Sequence, residues 1–333
     1  NEVLMAVPLF IFMGTILEKS KVAEDLLENM SKLLRHLRGG LGISVTLVGA
    51  LLAASTGIVG ATVVTMGLLS LPTMLKNGYN PKLATGVITA AGTLGQIIPP
   101  SIVLILLGDV ISNAYQQSQL KMGIFSPDTV SVGDLFAGSL FPGLLLVSLY
   151  ILYQFLKAIF DPSSTPEIII EESELSYKEL FKTLFPPLTL IIAVLGSILT
   201  GFATPTEAAS VGAIGSILLA ANRIAKEKFL TLISALSFIV LLGLNFVFDL
   251  RLNRDDLTFF ENASIFLAVI VFVIFLISTI LCIYRLFSSG VLVDAARSST
   301  KITSMVFIIL IGATFFSLVF RGLGGDETIE HFL

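Results

Sequence analysis

Between Ala90 and Leu106 the chain reads AAGTLGQIIPPSIVLIL, an apolar run interrupted by groups that could hold a small ligand. Gly92 and Gly95 loosen the backbone, Thr93 brings a hydroxyl, and Gln96 an amide. Adjacent Pro99 and Pro100 remove two backbone donors and push Pro99 out of helical geometry. Ser101 can then cap a second half-helix. The free N–H groups and positive dipole end of that half-helix attract an anion, while unwound carbonyls before it can hold a cation. A plain proline kink is the competing reading, although one proline suffices for a bend.

A second stretch of the same kind precedes it. STGIVGAT carries Ser55, Thr56, Gly57, Gly60 and Thr62, hydroxyls and turn-permitting glycines between two apolar segments. Hydroxyl and carbonyl oxygens are hard ligands for a hard cation such as sodium. The same small residues also serve close helix packing, so both readings stand for this stretch by itself. A hairpin tip followed in sequence by a broken helix is how secondary transporters build a site at bilayer depth. Further along, Thr204, Pro205 and Glu207 fit N-cap, N1 and N3 of a capping box. The alternative for Glu207 is a proton or ion relay.

The elements that would position these groups follow from composition. The 333 residues are 55% hydrophobic and 13% charged, with a mean hydropathy of +0.94. Soluble domains carry about 25% charged residues, so the chain reads as an all-α, polytopic membrane protein. A net charge of −4, spread along the chain, suggests no nucleic-acid partner. Cys282 sits in an apolar run and reads as a small hydrophobe; His36 and His331 lie far apart, suggesting no histidine metal site or triad. The spans carry too little charge for a channel's polar pore, and no base sits beside a serine to activate it, which argues against an enzyme. A non-transporting interaction or structural subunit stays open, and a sodium-dependence assay separates it from a carrier.

Apolar runs place a span at 1–17, an amphipathic helix at 19–38, and short helices at 41–54 and 63–75. At about 20 Å each, the short pair is too brief to cross alone and predicts a re-entrant hairpin over 41–75. A broken helix at 82–118 follows, with spans at 134–157, 184–202, 205–222, 229–249, 262–285 and 302–320. The segment 161–183 combines an acidic loop with an amphipathic stretch, and Gly322 to Asp326 reads as a loop. With the hairpin entering and leaving on one side, sixteen of the 20 Lys and Arg fall on that side. Only Lys121, Arg251, Arg254 and Arg321 fall opposite, so the hairpin opens toward the cytoplasm.

The runs PLFIFMG, LRGG, AASTGIVGATVVTMG, LPTMLKNGY, GTLGQIIPPSIVLILLGD, SVGDLFAGSLFPG, GFATPTEAA and GATFFSLVFRGLGGDE together resemble the large permease subunit of TRAP transporters. These are tripartite, ATP-independent carriers of the ion-transporter superfamily, and the DctM-like permease is their large subunit. The resemblance covers nearly the whole chain except 224–286, which looks like an insertion of a longer subtype. It implies an elevator-type, inverted-repeat fold, with a first repeat over 1–160 and a partial second repeat over 184–333. The chain opens at Asn1 inside an apolar run and reads as a fragment lacking both ends. The second hairpin and second proline-rich broken helix that the resemblance implies do not follow Arg321.

The resemblance also implies sodium as the coupling ion with no other cofactor, a small membrane subunit, and a periplasmic substrate-binding protein. That protein would deliver a small carboxylate to a carrier in the bacterial inner membrane. Carried over, Ser55, Thr56, Gly57, Gly92 and Thr93 belong to a sodium site, and Gln96, Pro99, Pro100 and Ser101 lie nearest the substrate.

Overall fold

A computed structural model describes residues 2–166, 177–250 and 259–332, with backbone only at 2, 23, 53–56, 177–180, 259, 326, 327 and 330. Among the described residues the chain is all-α, with no strand. In hydrocarbon only a helix or a closed barrel satisfies every backbone group. The helices are α1 (Glu2–Lys19), α2 (Val22–Leu33), α3 (Gly40–Thr56), α4 (Val59–Lys76), α5 (Pro81–Thr93), α6 (Ile102–Lys121) and α7 (Val132–Phe160). They continue as α8 (Tyr177–Leu199), α9 (Pro205–Ile224), α10 (Lys228–Val247), α11 (Phe259–Ser288), α12 (Val291–Gly322) and α13 (Gly325–Phe332). Six of them, α4, α7, α8, α10, α11 and α12, are long and apolar enough to cross a membrane.

α1 is the central post. Phe10, Ile11, Met13, Ile16 and Leu17 are buried among α3, α6, α9 and α12. Its one mid-helix hydroxyl, on Thr15, donates to Ile11 O and shares a 2.6 Å hydrogen bond with Ser299 of α12. The chain then turns by 62° into α2, through Lys21 in the left-handed region. α2 buries Leu26 and Leu27 in a core shared with α3, α4 and α5, and keeps Glu24 and Glu28 outside. A second core joins α1 to the opposite ends of α6, α7, α8 and α9. α10 and α11 form a pair, closed by a 2.8 Å bond between the buried hydroxyls of Ser234 and Thr279.

Several boundaries depart from the sequence reading. α3 and α4 have 17 and 18 residues, about 26 Å each at 1.5 Å per residue, so length alone does not exclude a crossing. The two helices fold back on each other. Gly42 N, near the start of α3, donates to Tyr79 Oη just past the end of α4, at 3.3 Å. α8 begins at Tyr177 rather than near 184, and α12 at Val291 rather than near 302. Of Gly322 to Asp326, read as loop, Gly322 ends α12 and Gly325 opens α13, with Gly324 at φ +72° making the break between the two helices. Of the acidic run in 161–183, residues 167–176 lie outside the described residues.

The contacts sort helix ends as the basic residues do. Asp25 of α2 pairs with Arg223, Asn29 donates to Thr183 Oγ1 at 3.4 Å, Asn80 N donates to Ser164 O at 3.2 Å, and Glu227 pairs with Arg285. All of these lie at the lysine- and arginine-rich end. Val132, Phe136 and Ile198 meet at the other. We therefore expect cysteines placed at Lys32 and Lys76 to resist a membrane-impermeant maleimide added outside intact cells. Labelling at one position but not the other would make the hairpin a net crossing.

Candidate functional site at the hairpin tip and helix break

The hairpin turns on two residues only. Gly57 adopts φ +61°, where a residue with Cβ is strained, and Ile58 is extended before α4 begins. Thr62 stays helical because its hydroxyl returns to Ile58 O at 2.8 Å. α5 starts from Asn80, whose Oδ1 accepts Lys82 N at 3.0 Å, with Pro81 at N1. α5 closes in a single 3-10 turn, Leu94–Gln96. The chain then passes Pro99 and Pro100, joined by a cis peptide, into α6.

Ser101 joins the two halves. Its hydroxyl donates to Gln96 O at 2.8 Å and accepts Leu104 N at 3.3 Å, so it caps α6 while holding the end of the first half. Ser101 is fully buried, as are Pro99 and Pro100. Its side chain is occupied by these two bonds, so the groups left to face a ligand there are the first backbone N–H groups of α6.

The tip and the break meet. A Cβ built on Gly57 would stand 3.3 Å from both Pro100 O and Ile102 Cγ1. The hairpin therefore ends against the interruption of the broken helix, while α6 runs on for 20 residues beyond it. That places the tip part-way along the bundle. The approach continues down the hairpin: a Cβ on Gly92 would overlap Val63 Cγ2 and come within 3.1 Å of Val63 N. Thr93, the last residue of α5, is exposed with its hydroxyl donated to Ala90 O at 2.7 Å, and Gln96 is exposed beside it. Ser55 and Thr56 end α3 immediately before Gly57; their side chains lie outside the described residues.

Two contacts near this unit gave no sequence signal. Thr65 of α4 donates to Glu18 of α1 at 2.5 Å, and Gln154 of α7 donates to Thr46 of α3 at 2.5 Å. Both partners are separated by dozens of residues, so periodicity could not pair them. Among the described residues no three His, Cys, Asp or Glu side chains cluster. Oxygen ligands here would therefore come from hydroxyls and carbonyls.

Glu207 does form the capping box. Its Oε2 accepts Thr204 N and Thr204 Oγ1, each at 2.8 Å, and its own N–H donates to Thr204 Oγ1 at 3.3 Å. Glu207→Gln keeps an acceptor in the same place, so the pH profile of uptake should not move. A strongly shifted profile at normal expression would make Glu207 a relay.

A multi-pass helical membrane protein in which a hairpin tip closes on a helix break has the architecture of a secondary transporter. The family model described as "Tripartite ATP-independent periplasmic transporter, DctM component" matches residues 1–243, and the chain belongs to this family of transporters. It is 34% identical over 217 residues to the C4-dicarboxylate TRAP transporter large permease protein DctM of Rhodobacter capsulatus, covering 63% of this chain and 47% of that protein. Against the Ectoine/5-hydroxyectoine TRAP transporter large permease protein UehC of Ruegeria pomeroyi the figures are 30% identity, 65% and 46%. Against the sialic acid TRAP transporter large permease protein SiaM of Vibrio cholerae they are 28%, 66% and 47%. The chain thus spans just under half the length of these relatives. The family match runs through all of α9 and most of α10, so it enters the stretch 224–286 that the sequence reading set apart as an insertion.

Proposed function

We propose that this chain supplies a hairpin and broken-helix site to the large membrane subunit of a sodium-coupled tripartite transporter. The carrier works in the bacterial inner membrane, with a small membrane subunit and a periplasmic protein that delivers a small organic acid. The observation that carries the reading is the seating of Gly57 against Pro100 and Ile102, which brings the hairpin tip to the Pro100 carbonyl and the start of α6.

In this reading Ser55, Thr56, Gly57, Gly92 and Thr93 serve the sodium ion through hydroxyl and carbonyl oxygens. Gln96 offers its amide to the substrate, while Pro99 and Pro100 shape the gap. Ser101 acts through the α6 N-terminus that it caps, whose N–H groups suit a carboxylate. Relatives named for C4-dicarboxylates, ectoines and sialic acid support an organic acid or zwitterion as the cargo class.

The test is uptake by the assembled transporter in proteoliposomes. Accumulation should require an inward sodium gradient and the loaded binding protein. Equal accumulation with potassium replacing sodium would remove the coupling ion. Accumulation without the binding protein would leave a sodium-coupled carrier of a simpler kind.

A further inference from the structure

At the basic end, α2, α8, α9 and the start of α10 enclose a cavity of about 710 Å3 that the transport reading does not use. Lys182, Arg223, Lys226 and Lys228 line it, against one carboxylate among the described residues, that of Asp25. Asp25 is already paired with Arg223. The turn from α9 into α10 sorts the remaining charges. Lys226 takes a left-handed conformation at φ +55°, unfavourable for a residue with Cβ, and Lys228 N donates to Lys226 O at 3.0 Å. Glu227, between the two lysines, is drawn away to Arg285 of α11 at 3.2 Å. Lys226 and Lys228 are left on the cavity, facing Lys182 of α8 across it. The positive-inside tendency explains why these lysines are on this side of the bundle. It does not explain why three of them share one cavity from which the carboxylates have been paired away.

We propose that this cavity binds the phosphate headgroup of an anionic phospholipid. Three exposed ammonium groups suit a phosphate that sits in water-accessible space. Part of the remaining wall is apolar, beside the polar Thr183 and Asn222: Pro187 is buried, and Val22 and Leu219 are half-buried. That apolar part suits the glycerol and upper acyl carbons of a lipid and gives nothing to a free phosphate ion. The bound lipid would bridge α2 to α8 and α9, adding to the Asp25–Arg223 pair and the Asn29–Thr183 hydrogen bond.

The test reads lipid binding rather than transport, so its failure is distinct from failure of the carrier reading. The purified transporter in phosphatidylcholine-based detergent micelles is titrated with phosphatidylglycerol, and separately with inorganic phosphate. Bound lipid is counted by native mass spectrometry. Each lysine near an anionic surface contributes about fivefold in affinity. The triple variant Lys182→Gln, Lys226→Gln, Lys228→Gln should therefore lose most phosphatidylglycerol binding, and Lys→Arg at the same positions should retain it. A control triple on the same side, Lys76→Gln, Lys82→Gln, Lys301→Gln, should bind as the parent does. Equal losses in the two triples would mean surface charge alone, and no loss in the first would overturn the site. Displacement of the lipid by inorganic phosphate at comparable concentration would make the ligand a soluble anion and overturn the lipid assignment.

Discussion

Replacing Gly92 by leucine should abolish uptake by the assembled transporter, and Gly92→Ala should reduce it strongly while the protein still folds. Gly92 is buried where α5 crosses α4, and even one added carbon overlaps Val63 Cγ2 and nears the Val63 backbone. A rotation of Val63 cannot clear it, because Val63 N and Cα would be 3.1 and 3.2 Å from the new atom. The two helices must separate, and overpacking of this kind costs about 1–3 kcal/mol. The separation acts directly on the site, since α4 carries the tip residue Ile58 at its start and α5 carries Thr93 at its end. A second substitution distinguishes this from general damage. Val63→Ala removes the overlapping methyl and should recover part of the activity of Gly92→Ala, a coupling that independent sites do not show. Normal uptake by Gly92→Leu would mean that the close approach of α4 to α5 is not needed.

That pair of residues also marks where the sequence stops being informative. The broken helix was legible because two prolines and two glycines leave a covalent signature, and Ser101 was legible as the cap that follows. The width of the hairpin tip was not. Ser55, Thr56, Thr62 and their neighbours read as eight residues of turn, yet only Gly57 and Ile58 leave the helix. A threonine that bonds the carbonyl four residues back satisfies itself inside a helix, and composition cannot show that choice. The same applies to 291–301, left between two spans by the sequence reading but helical, with Ser299 and Thr300 bonded to Ala295 O and Ala296 O. The register of α4 on α5, the return of Ser101 to Gln96 O, and the approach of Thr65 to Glu18 depend on how helices pack. A single sequence carries no record of that. α13 has only eight residues, shorter than the window over which helical periodicity can be read.

The second large effect concerns the coupling ion. Thr93 donates its proton to Ala90 O at 2.7 Å, which leaves its oxygen free to accept, and both Thr93 and Gln96 are exposed. A hydroxyl held this way is preset to accept, which is what a cation ligand must do. Thr93→Val keeps the branched shape and removes that oxygen, so it separates ligation from packing. One lost ligand interaction of about 1–2 kcal/mol weakens binding roughly 5- to 30-fold. The sodium concentration for half-maximal uptake should therefore rise severalfold, with the maximal rate at saturating sodium much less affected. Thr93→Ser keeps both the oxygen and the bond to Ala90 O, and should stay close to the parent. Thr93→Val also loses the Ala90 bond, but that loss would lower expression without moving the sodium dependence of the protein that remains. If Val and Ser variants share the parent's sodium curve, Thr93 packs the end of α5 and the ligands lie elsewhere on the tip.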